Sequence, residues 1–175
     1  PQNGIELITD TGNASGTPVT SYIDAINGVG QEDLHYGYTG DDIATPAADT
    51  AYLEGYLDKA KTGGMRVLII DYCSTISNVN AAYDASDAKG YAGFAADHRE
   101  LNNIPAYPAT PHNVNTGDIT NLAGVQNFLY LINPAEYASK SAMLTAMQNT
   151  DYDLIIMDLF FNDGTSFSNT EIGSL

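Results

Sequence analysis

Several carboxylates stand where apolar runs of strand length stop. Glu32 sits with Asp33 in Gly30-Gln31-Glu32-Asp33-Leu34, Asp71 directly follows Val67-Leu68-Ile69-Ile70, and Asp158 directly follows Leu154-Ile155-Ile156-Met157. In parallel α/β folds the working groups gather at the carboxyl ends of strands, because the loops there converge on one rim. Carboxyls in that position suit acid/base or nucleophilic chemistry, and a pair of them flanking a glycosidic bond is what sugar hydrolysis requires. The chain has twelve tyrosines and no tryptophan. Tyr36, Tyr38 and Tyr72 lie close to these acids in sequence and could offer faces to sugar rings. A sugar-binding module without catalysis would use the same residue types.

Strand alternation is expected to send Glu32 and Asp33 to opposite faces. Glu32 is the preferred acid or nucleophile, because Leu34 then shares its face and Asp33 is left to fix a loop. A solvated charge pair at a strand start is the plainer alternative. Asp71 and Asp158 read as rim ligands for substrate, or as caps for the helices that follow. Arg99, in Asp97-His98-Arg99-Glu100, is one of six basic residues, so it is expected to pair with a rim carboxylate or to form an exposed loop salt bridge.

His35, His98 and His112 show no metal-ligand spacing to one another or to Cys73, so neither zinc nor any other cofactor is expected. No serine lies in a Gly-x-Ser-x-Gly turn, no glycine-rich phosphate loop follows a strand, and Cys73 has no identifiable base. Serine, cysteine and nucleotide chemistry therefore have no support.

The elements that must position these residues follow from periodicity. Apolar runs at Ile5 to Ile8, Val67 to Ile70, Phe128 to Ile132 and Leu154 to Phe161 are apolar on successive residues, as strands buried on both faces must be. Gly30 to His35 and Gly90 to Ala95 are further strand candidates. Leu53, Tyr56, Leu57 and Ala60 form the stripe of a helix entered near Thr50 and stopped by Gly63-Gly64. A second helix spans Ser139 to Met147, with Met143, Leu144 and Met147 on one face as core residues. Residues 102–121, rich in proline, threonine and asparagine, read as a long loop. The order predicts right-handed βαβ units, with about six strands and about five helices.

Composition bounds the partners. The 175 residues carry 22 acidic and six basic side chains, a formal charge of -16. A field of that sign repels nucleic acid and anionic membranes and attracts cationic polymers. No run approaches the ~20 apolar residues of a bilayer span. With a single cysteine no intrachain disulfide can form. Pro1 at the first position fits a processed exported chain or a fragment.

Four stretches then stand together: Pro1-Gln2-Asn3-Gly4-Ile5-Glu6-Leu7, Gly30 to Tyr38 (Gly-Gln-Glu-Asp-Leu-His-Tyr-Gly-Tyr), Val67 to Tyr72, and Gly93-Phe94-Ala95-Ala96-Asp97-His98-Arg99-Glu100-Leu101. This set resembles the later strands of the bacterial TIM barrels grouped as glycoside hydrolase family 114, the endo-α-1,4-polygalactosaminidase-like proteins. Asn127 to Pro134, followed by Tyr152 to Phe161, resembles the opening strands of the same barrel. Residues 1–112 thus resemble the end of the barrel and 113–175 its beginning. That order is permuted, and the middle strands have no counterpart.

The resemblance implies a partial or permuted parallel (β/α) barrel in an exported, extracellular or cell-envelope protein acting on a galactosamine-rich, cationic polysaccharide. It carries Glu32 over as one catalytic carboxyl, while the partner aspartate belongs to a strand with no counterpart. Asp71 and Asp158 match groove-lining positions, and Asn3, Tyr36, Tyr38, Tyr72 and Arg99 complete the expected substrate-binding set. Self-association, or strands supplied by another chain, would complete such a barrel. The alternative is a non-catalytic carbohydrate-binding or assembly unit of the same origin.

Overall fold

The computed structural model describes residues 2–175. In chain order the elements are α1 (Thr20–Ile23), β1 (Gly28–Glu32), α2 (Ala47–Thr62), β2 (Arg66–Tyr72), α3 (Ile76–Lys89), β3 (Ala92–Ala96), β4 (Leu129–Leu131), α4 (Lys140–Gln148), β5 (Ile155–Met157) and α5 (Asn169–Ile172). Strands β1, β2 and β3 form one parallel sheet in that order, and β4 pairs with β5 in a second parallel sheet. Long helices link the pairs β1–β2, β2–β3 and β4–β5, as parallel neighbours require. The protein is thus α/β with parallel strands in two small sheets, and among the described residues these do not close into a barrel. No helix among those residues is long and apolar enough to cross a membrane.

Alternation along β2 explains its unbroken apolar run. Leu68, Ile70 and Tyr72 enter a core shared with Ala92, Phe94 and Ala96 of β3, Phe128 to Leu131 around β4, and Met143, Leu144 and Met147 of α4. Val67 and Ile69 point the other way, into a second core with Leu53, Tyr56, Leu57 and Ala60 of α2. Both faces are covered, so every position from Val67 to Ile70 is apolar. The first core joins the two sheets across the gap between β3 and β4, where the Phe94 and Phe128 rings lie 5.7 Å apart.

Three expectations need correction. Ile5 to Ile8 is one turn of 3-10 helix rather than a strand. Ile5 and Ile8 are buried in the α2-side core while Leu7 is exposed, the i, i+3 pattern of a tight turn. The sheet is extended instead by Gln2, which makes an isolated parallel bridge to Gly30. Next, β1 stops at Glu32 rather than His35, because Asp33 takes the left-handed conformation at φ 60°. Finally, β5 stops at Met157, where the Asp158 carboxylate accepts the Phe160 N–H and turns the chain. Among the described residues there are therefore five strands, with the Gln2 bridge beside β1, where about six strands were expected. Residues 102–121 hold neither helix nor strand.

Candidate functional site

Glu32 ends β1 in register with Ile70, so its side chain shares the face on which Leu68, Ile70 and Tyr72 lie. Two neighbours hold its carboxylate. Asn3 Nδ2 donates to Oε2 at 2.7 Å while Asn3 Oδ1 accepts the Glu32 N–H at 3.1 Å. The Tyr72 hydroxyl donates to Oε1 at 2.5 Å, the length of a charge-assisted O–H···O⁻ bond. Both oxygens act as acceptors. Asn3 is brought there by the Gln2 bridge and by its own N–H, which donates to the Gly30 carbonyl at 3.0 Å. Burial, together with the bond to Glu32 and the charge of that residue, raises the Tyr72 phenol well above its ordinary pKa despite the opposing Arg99 charge, so it stays a donor.

Above Tyr72 lies Arg99, its guanidinium 4.1 Å from the ring centre. Nε donates to Asp41 Oδ1 at 2.7 Å, Nη2 to Asp33 Oδ1 at 2.9 Å and to the Gly37 carbonyl at 2.5 Å, and Nη1 to Asp33 Oδ2 at 3.4 Å. Asp33 was expected to turn away from the Glu32 side. Its left-handed backbone overrides strand alternation, so Asp33 joins the rim cluster and Leu34 goes into the α2-side core. Tyr130 of β4 is also near: its hydroxyl donates to Gln2 Oε1. Burial raises the Tyr130 phenol against the pull of the Gln2 bond, and the Glu32 charge adds to the rise.

Asp71 is not a rim ligand. It shares the parity of Val67 and Ile69 rather than that of Tyr72, and only 2% of it is exposed. Oδ1 accepts the N–H groups of His35 at 2.7 Å and Tyr36 at 3.0 Å, so the carboxyl fastens the β1–α2 loop from beneath. Burial pushes its pKa up to about 7 against those bonds, and the Asp33 charge adds to the rise. Burial also lowers His35 to about 4, with Glu54 opposing and Lys89 adding.

The remaining expected ligands separate. Tyr72 is 3% exposed and gives its hydroxyl to Glu32. Tyr36 packs beside the small core around Cys73 and Val79. Tyr38 is 54% exposed and free to meet a ligand. Asp158 is exposed, with Oδ1 accepting the Phe160 N–H of its own turn.

Sequence reasoning missed the roles of Asp41, Gln2 and Tyr130. It also missed Asp42, whose carboxylate accepts from Ser74 N and Oγ, Thr75 N and Asn78 Nδ2, capping α3 from a distant loop. Thr75, the local cap position, makes no side-chain cap bond. A rule that a helix N-terminus without a working local cap needs an acid from elsewhere could have prompted the search. No grouping of His, Cys, Asp and Glu among the described residues could hold a metal ion. Comparison with protein-family models, with curated proteins and with solved structures finds no match to this chain.

Proposed function

We propose that the chain belongs to a parallel (β/α)-barrel-type glycoside hydrolase, exported from the cell and acting on a galactosamine-rich, cationic polysaccharide. The observation that carries this reading is the Glu32 carboxylate, gripped at both oxygens by Asn3 and Tyr72 at a strand carboxyl end. A carboxylate held in one orientation by two donors can serve as nucleophile or as acid/base. The charge of -16 would concentrate a cationic polymer at this surface, and exposed Tyr38 supplies a ring face.

A second reading, a non-catalytic carbohydrate-binding or assembly unit, is favoured by the state of the other acids. Hydrolysis needs a second carboxyl across the bond. The acid nearest this cluster by its bonds is Asp33, and both of its oxygens are engaged by Arg99.

The test is Glu32→Gln, which keeps shape and removes the ionisable group. On deacetylated galactosaminogalactan, reducing-end release should fall at least ~10²-fold while polymer binding persists. A parent chain that binds the polymer but never cleaves it would transfer the case to the binding unit. Unchanged turnover in the variant would remove Glu32 from the chemistry.

A further inference from the structure

We propose that Arg99 is a positioning residue for Glu32 and acts through Tyr72. This rests on the reading of Glu32 as the working carboxylate. Arg99 leaves the end of β3, crosses over Tyr72 of β2, and ties itself to the loop after β1, 58 to 66 residues away in sequence. Four of its five N–H groups are engaged internally: Nε, Nη1 and Nη2 all donate to Asp33, Asp41 or the Gly37 carbonyl. It is therefore committed to holding a plane rather than to meeting a ligand. That plane lies 4.1 Å from the Tyr72 ring centre, and the hydroxyl of the same ring contacts Glu32 Oε1 at 2.5 Å.

The ion pairs themselves do little for stability. The Arg99 side chain is 43% exposed and its partner Asp41 44%, and pairs so exposed contribute little to stability. What the clasp supplies is geometry. Two carboxylates fix the guanidinium, the guanidinium covers one face of the Tyr72 ring, and that cover resists displacement of the ring from its contact with Glu32. Lysine could keep the charge but not the planar fork or the stack.

The experiment records the proton spectrum of the parent chain for a far-downfield hydroxyl resonance, the signature of a short O–H···O⁻ bond, assigned to Tyr72 by its loss in Tyr72→Phe. In Arg99→Met and Arg99→Lys that resonance should move upfield or exchange away, while melting temperature changes little. On the polysaccharide substrate, kcat should fall about 10- to 100-fold with KM within about twofold, as for a misplaced catalytic group. Should Arg99→Met fail to fold, Arg99→Lys decides alone. A resonance unchanged in Arg99→Lys overturns the proposal, and so does its absence from the parent chain. If the parent turns over no polysaccharide yet the resonance responds to Arg99, the positioning role stands and the hydrolase reading is what fails.

Discussion

Asp71 and His35 oppose each other in the pH dependence of stability, and removing either should expose the other. Asp71 has an ordinary pKa of 3.8 and about 7 in the fold, with burial as the main cause. The folded chain therefore holds a proton that the unfolded chain has released. Its contribution is fully present below pH ~4 and is lost as pH rises through about 7. For His35 burial works the other way, from 6.5 down to about 4. Its contribution is present above pH ~6.5 and is lost as pH falls toward 4.

Integrating each between pH 5 and pH 8, Asp71 costs roughly 2–3 kcal/mol on going up and His35 returns roughly 2 kcal/mol. The two nearly cancel in the parent. In Asp71→Asn the carboxamide oxygen still accepts the His35 and Tyr36 N–H groups, but nothing ionises. Relative to the parent, its unfolding free energy should improve by about 2–3 kcal/mol more at pH 8 than at pH 5. His35→Gln should show the opposite trend, losing its relative advantage by about 2 kcal/mol over the same interval. Urea titrations at pH 5, 6, 7 and 8 measure this, and taking differences from the parent removes the common effect of the other acids. Flat differences across that range would refute the burial argument for both groups.

Asp42→Ala removes the remote cap of α3 and should cost ~1–2 kcal/mol in urea unfolding. Although burial pushes upward, hydrogen bonds from Ser74, Thr75 and Asn78 hold the Asp42 pKa down to about 2. That stabilisation should accordingly persist to pH ~4 and disappear as pH falls toward 2. Binding of a cationic polysaccharide should weaken steeply between low and ~0.1 M salt, where the screening length falls to ~10 Å. A salt-independent affinity, measured by calorimetry, would assign binding to the Tyr38 ring rather than to charge.

Where local rules suffice, the sequence by itself determined this protein's elements. The run Val67 to Ile70 had to be a strand buried on both faces, the Leu53, Tyr56, Leu57 and Ala60 stripe had to be one helix face, and residues 102–121 could not make a regular element. The acid at the end of β1 was legible because strand ends are marked by composition. The four residues from Ile5 to Ile8, three of them apolar, were not legible as a 3-10 turn, because so short a run carries no periodicity.

Only the tertiary structure decided where the acids face. Asp71 and Tyr72 are adjacent and both end β2, yet one is sealed beneath a loop and the other grips Glu32. Parity separates them, and the covering of each sheet face decides which parity is which. Asp33 reached the rim because a left-handed residue cancelled the alternation. The partners of Arg99 lie 58 to 66 residues away, and Gln2 meets Tyr130 across 128. Such contacts have no local signal, since they exist only once the strands are side by side and loops from different strands share one rim.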